Sequence, residues 1–129
     1  MEVLKMKRKI FALTITASLF LPGLQVSAHA QESTDLLDVC PKNVVLLTED
    51  DNVRFIQFKI KSGQKCGMHK SLGGFLYVIS GATFNLIKPD GSKTSIVLKD
   101  NQALAYQPSE HILEVTRGNL DLLLLENKK

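Results

Sequence analysis

From residue 44 onward the chain sets short apolar runs between turn residues, with a new run roughly every eight to twelve positions. Residues 44–47, 53–60, 75–79, 82–87, 94–98, 103–106, 112–116 and 120–125 are each expected to be strands, because they are rich in Val, Ile, Leu, Phe and Thr. Within the second run, Arg54-Phe55-Ile56-Gln57-Phe58-Lys59-Ile60-Lys61 partly alternates, as a half-buried strand does. Lys88-Pro89-Asp90-Gly91-Ser92 predicts a hairpin turn: Pro presets the first central angle and Gly accepts a positive φ. Asp100-Asn101 and Arg117-Gly118-Asn119 mark further turns, and Gly63, Gly81 and Gly91 are expected at turns or strand ends. The run at 120–125 is too short for a helix and follows a Gly-Asn turn, so it reads as a buried strand. No helical period stands out after residue 30. The fold class is all-β, a sandwich or a barrel.

The N-terminus follows a different pattern. Lys5, Lys7, Arg8 and Lys9 precede an apolar run from Ile10 to Leu21, which Pro22-Gly23 interrupts. Ala28-His29-Ala30 then supplies small residues at the cleavage spacing before Gln31. The run is well short of the ~20 residues that span a bilayer, so residues 1–30 read as a cleaved export signal. Cys40 follows Val39 well beyond the run, which argues against a lipoprotein. The expected location is the periplasm or the outside of a bacterium. Residues 31–43, polar and acidic at first, read as a flexible lead-in, and 44–128 as one small domain.

Export changes the charge. The full chain carries +3, but four of its 16 bases and one of its 13 acids lie in the first 30 residues. The mature chain is therefore neutral, with no basic field for nucleic acid and nothing polybasic to hold it on a membrane. Its two cysteines, Cys40 and Cys66, lack Cys-x-x-Cys spacing and are bound for an oxidising compartment, which favours one disulfide. Closing a loop of ~25 residues contributes roughly 3 kcal/mol. Two separate thiols, or a Cys66/His69 metal pair, are the alternatives. A bridge would take Cys66 out of any ligand set.

One stretch carries a family resemblance. Gly63, five residues, His69, then Ser71, Gly74 and an apolar run closing at Gly81 resemble the first motif of the cupin superfamily. Asp100-Asn101-Gln102, Tyr106, Pro108 and His111 resemble the second motif, with a shorter spacing from Pro108 to His111. Asn52-Val53-Arg54 is similar to the opening strand of small exported single-domain cupins, and the likeness runs from about Val44 to Lys128. The resemblance implies a jelly-roll β-barrel. It also implies a divalent metal held by three imidazoles and one carboxylate. Here Ser71 stands for the second imidazole and Gly74 for the carboxylate.

With His29 in the export signal, the mature chain keeps His69 and His111. Both are weak candidates for metal ligands, and no tightly bound cofactor is expected, although a divalent transition metal remains open, with Glu110, Glu114 or Cys66 as substitute donors. The two imidazoles could be residual polar groups in a barrel mouth, or they could line a pocket with Ser71. By strand alternation Leu76 and Val78 would share the face of Gly74, and Leu113 and Val115 that of His111. The leading expectation is small-molecule binding or a noncatalytic accessory role. The alternatives are a metal-dependent oxygenase or isomerase, and a structural protein that pairs as a homodimer.

Overall fold

The computed structural model describes residues 32–129, so the export-signal expectation for residues 1–30 lies outside the described residues. Seven strands follow one helical turn. The turn is α1 (Leu36–Val39), and the strands are β1 (Val44–Glu49), β2 (Val53–Ile60), β3 (Lys65–Ser71), β4 (Gly74–Ile87), β5 (Lys93–Leu98), β6 (Ala103–Tyr106) and β7 (Ser109–Asn127).

Two long strands build the barrel. β4 and β7 pair antiparallel almost end to end, from Gly74 opposite Glu126 to Ile87 opposite Ile112. Their first and last halves belong to different sheets. One sheet runs β1, β2, the end of β7, the start of β4, then β6. The other runs β3, the start of β7, the end of β4, then β5. All the pairings are antiparallel, and apolar side chains from the two sheets meet between them.

Where eight separate strands are expected, the runs at 75–79 and 82–87 are one strand, and so are 112–116 and 120–125. The residues that look like turns are bends inside a continuous ladder. Gly118 takes φ +83° without leaving β7, and Ala82 pairs opposite it. Gly81 lies inside β4 rather than at a strand end, and the position requires glycine because a Cβ there would overlap the carbonyl oxygen of Leu98 on β5. Register shifts between Val78 and Phe84 absorb the bend. Gly91 keeps its turn: at φ +88° it closes the hairpin, with Lys88 N–H donating to Ser92 O at 2.9 Å.

β3 is the strand that the hydrophobic pattern does not announce. Its inward residues are Cys66, His69 and Ser71, all buried, so alternation of apolar and polar types is absent. Its partner is the first part of β7, with His69 directly opposite His111 and Ser71 opposite Ser109.

The expected flexible lead-in is instead docked from Ser33 to Asn43. Asp35 caps α1 by accepting from Leu37 N–H at 2.8 Å, an arrangement favoured at helix starts. Lys70 N–H on β3 donates to Thr34 O at 2.8 Å, and Leu36 is 2% exposed. Cys40 and Cys66 form a disulfide with Cα atoms 5.7 Å apart. Four kinds of anchor hold the segment to the barrel: a backbone bond, an ion pair from Asp35 to Arg54, a buried leucine and a covalent bridge.

Candidate functional site

The inner face of the second sheet brings the two histidines together. Their rings stand edge to face with centroids 4.8 Å apart, as directly opposed positions on β3 and β7 require. His69 is 3% exposed and His111 9%. They border a cavity of about 250 Å³ between the sheets, and this cavity is mainly apolar. Phe58, Leu122 and Leu124 wall it from the first sheet, and Phe84, Leu86 and Leu113 from the second. Leu36 of the docked N-terminal segment covers part of it, with Gln107 from the turn after β6 and Ser109 from the first position of β7.

Of the residues expected to line a pocket, His69, His111, Ser71, Leu76 and Leu113 border this cavity. Val78 and Val115 do not. They do lie on the inward face, 0% and 1% exposed, but further along their strands toward the bends at Gly81 and Gly118, where packing is closed. Strand alternation sets the face. It does not set the depth.

Hydrogen bonds set the state of His69. Its Nδ1 lies 2.8 Å from the carbonyl oxygen of Gly67, which can only accept, so Nδ1 carries the proton and Nε2 is bare. Burial pushes the His69 pKa below the ordinary imidazole value, outweighing the opposing effects of Gly67 and Glu126. His111 Nδ1 meets Ser109 Oγ at 2.8 Å, and this hydroxyl can donate or accept. Burial first, then the neighbouring His69 and Lys88, brings His111 down to about 4. Both rings are neutral at pH 7. Neither Nε2 has a hydrogen-bond partner among the described residues.

A polar network lies beside the imidazoles, and the pattern of strands does not single it out. Glu126, 1% exposed, also borders the cavity. Its Oε1 accepts from Arg54 Nε at 3.1 Å and its Oε2 from the Tyr106 hydroxyl at 2.8 Å. Arg54 Nη2 approaches Oε1 to 3.0 Å, as an ion-pair contact outside hydrogen-bonding geometry. Arg54 Nη1 donates to Asp35 at 2.9 and 3.2 Å, tying α1 to the same network. Burial opposes ionisation of Asp35, but the Arg54 and Leu37 hydrogen bonds and the Arg54 charge outweigh it and hold the carboxyl below its usual range. Burial and the Glu126 carboxylate push the Tyr106 phenol up. The sequence does hold a signal for this group. Glu126 continues the inward phase of Leu120, Leu122 and Leu124, and an acid in that phase needs a buried partner.

The divalent metal that the resemblance implies does not fit this donor set. Two imidazole nitrogens are offered, and the described residues hold no group of three His, Cys, Asp or Glu able to bind a metal. Cys66 is consumed by its bridge. Glu110 and Glu114 alternate onto the opposite face of β7, across from Lys70 and Lys65. Glu126 is engaged at both oxygens. Gly74 cannot be read as a lost carboxylate. Its φ of +146° and the overlap a Cβ would make with the Leu125 carbonyl oxygen exclude any side chain there.

The sequence matches no family model and no curated protein. Solved structures do share the fold. A cupin domain (bp2299) from Bordetella pertussis Tohama I superposes with a TM-score of 0.58 at 12% identity, covering 78% of this chain and 100% of its own. A cupin superfamily protein (DSY2733) from Desulfitobacterium hafniense DCB-2 gives 0.49 at 16% identity, over 67% of this chain and 76% of its own. An RmlC-like cupin family protein (mj0764) from Methanocaldococcus jannaschii gives 0.48 at 14% identity, over 65% and 77%. The seven antiparallel strands of the described residues, wound as two facing sheets, are those of the cupin fold.

Proposed function

We propose that this protein is an exported binding module that holds a small molecule in the cavity between its sheets, without resident metal. The observation that carries the reading is a pair of neutral imidazoles, each with an unpartnered Nε2 among the described residues, on the wall of an otherwise apolar cavity. Such a wall orients a ligand through few polar atoms and holds it through many apolar ones. A disulfide supports export. A thermal-shift screen of a few hundred small fragments tests the binding reading. It is expected to yield compounds that raise the melting temperature of the wild type but not of Leu113→Phe, which fills the cavity. No stabilising fragment, or equal stabilisation of both proteins, would overturn it. Intact-mass measurement of the exported protein is expected to show Gln31 as its first residue.

A second reading, self-association, has its own observation. On the outer face of the first sheet Phe75, 62% exposed, lies opposite Leu125, which lies opposite Phe55, with Tyr77 and Leu123 in the next row. An apolar patch across three strands suits a second copy of the chain in a symmetric pair. Light scattering should find a dimer that Phe75→Glu dissociates. A monomer at high concentration would remove this reading.

A further inference from the structure

The cavity restricts what it can hold more closely than the binding reading requires. Resting on that reading, we infer that its ligand is an uncharged molecule the size of a substituted benzene, carrying one hydroxyl that donates to His69 Nε2.

Three observations lead there. The first is size. A dry cavity of about 150 Å³ takes up benzene, and this one is about 250 Å³. That leaves room between the walls for one ring with a small substituent, or an aliphatic chain of similar bulk, and not for the whole of a disaccharide or nucleotide.

The second is charge. Among the described residues, no lysine or arginine borders the cavity. The carboxylate of Glu126, which does border it, already has Arg54 on one oxygen and Tyr106 on the other. A carboxylate ligand would be buried against neutral imidazoles with no cation to meet it. An ammonium ligand would have to share Glu126 with Arg54, and two cations on one buried carboxylate repel. Buried charge without a partner is strongly disfavoured, so the cavity selects against both signs.

The third is hydrogen-bond polarity. The Gly67 carbonyl fixes the His69 proton on Nδ1, leaving Nε2 as an obligatory acceptor on the cavity wall. A ligand without a donor offers it no partner. The Ser109 hydroxyl can turn to donate to His111 Nδ1, which puts the other proton on His111 Nε2. One hydroxyl then complements both rings, since it can donate to His69 and accept from His111. A carbonyl, ether or plain hydrocarbon cannot serve His69 at all.

Four probes of matched shape test this by calorimetric titration at pH 7.5: p-cresol, toluene, 4-methylbenzoate and 4-methylbenzylamine. Wild-type protein is expected to bind p-cresol at least tenfold more tightly than the other three. His69→Phe keeps an aromatic wall and removes the acceptor. It should bring p-cresol down to the affinity of toluene while changing toluene less than threefold. His69→Met serves the same purpose if the phenylalanine variant does not fold. Tightest binding by the carboxylate or the amine, or p-cresol binding unaffected by His69→Phe, would overturn the assignment and leave the cavity as a binding site for another class. Absence of p-cresol binding would overturn it as well, while the fragment screen judges the cavity independently. Binding of all four that Leu113→Phe does not weaken would place them elsewhere and remove the binding reading together with this one.

Discussion

β2 and β3 lie in different sheets of the same barrel, and both pair with β7. They use their inward positions differently. β2 turns Arg54, Ile56, Phe58 and Ile60 into the interior, three apolar residues and one cation. β3 turns in Cys66, His69 and Ser71, a bridge and two polar groups. The first strand is held by what it buries. The second is held by what ties it down: a ladder with β7, a disulfide to Cys40, and Thr34 bonded to its Lys70. A barrel can give up apolar contact on one strand for site chemistry if other bonds keep that strand in register.

The largest expected effects are on the apolar strand. Phe58→Ala should cost about 3–5 kcal/mol in chemical denaturation, through lost transfer energy and a cavity. His69→Ala should cost less than half of that and weaken ligand binding far more. Equal losses of stability would break the contrast between the strands. Arg54→Ala, at the polar end of β2, should also cost about 3–5 kcal/mol, because it leaves the Glu126 carboxyl buried with its cation gone.

Next comes the tie on β3. Cys40→Ser together with Cys66→Ser should cost about 3 kcal/mol by releasing a loop of 26-residue separation in the unfolded chain. Reducing the wild type should give the same loss, measured as a shift of the denaturation midpoint. A loss below about 1 kcal/mol would show that the ladder with β7 holds β3 unaided.

The histidines give a smaller effect with a definite sign. In the unfolded chain an imidazole takes up its proton near 6.5, but folded His111 does so only near 4. Between those values the unfolded state binds more protons, so stability falls as the pH drops from about 6.5 to 4 and does not change above 7 on this account. His69 adds to the slope in the same direction. His111→Leu should flatten the fall in denaturation midpoints between pH 7 and 4.5. An unchanged slope would mean the ring is not buried neutral.

The smallest effect concerns metal. With two imidazoles as donors, Zn²⁺ or Ni²⁺ at modest excess should raise the melting temperature by no more than about 3 °C, since linked stabilisation grows only as the logarithm of concentration over Kd. A shift of ten degrees, lost in His69→Ala, would restore a metal centre.

The same contrast explains what could be read from the sequence. β2 is visible because Ile56, Phe58 and Ile60 alternate with polar residues, and the hairpin at Pro89-Gly91 is visible because turn geometry demands those residue types. β3 is invisible because its inward residues carry chemistry rather than hydrophobicity. His69 and His111 were legible through motif spacing, but their pairing depends on register, which spacing alone does not fix. The bends at Gly81 and Gly118 look like strand ends because local composition cannot distinguish a turn from a kink in a paired strand. Arg54, Tyr106 and Glu126 are separated by up to 72 positions, and only the barrel brings them together.

The wall of the cavity offers a neutral His69 with its proton on Nδ1 and a bare Nε2. Long-range proton–nitrogen NMR spectra of uniformly ¹⁵N-labelled mature protein at pH 7, recorded with and without p-cresol, test it most directly. The account predicts two neutral rings, His69 as the Nδ1–H tautomer, and a shift of its Nε2 resonance when p-cresol binds. A His69 that is protonated on both nitrogens or carries its proton on Nε2, or an Nε2 that p-cresol does not move, would contradict it.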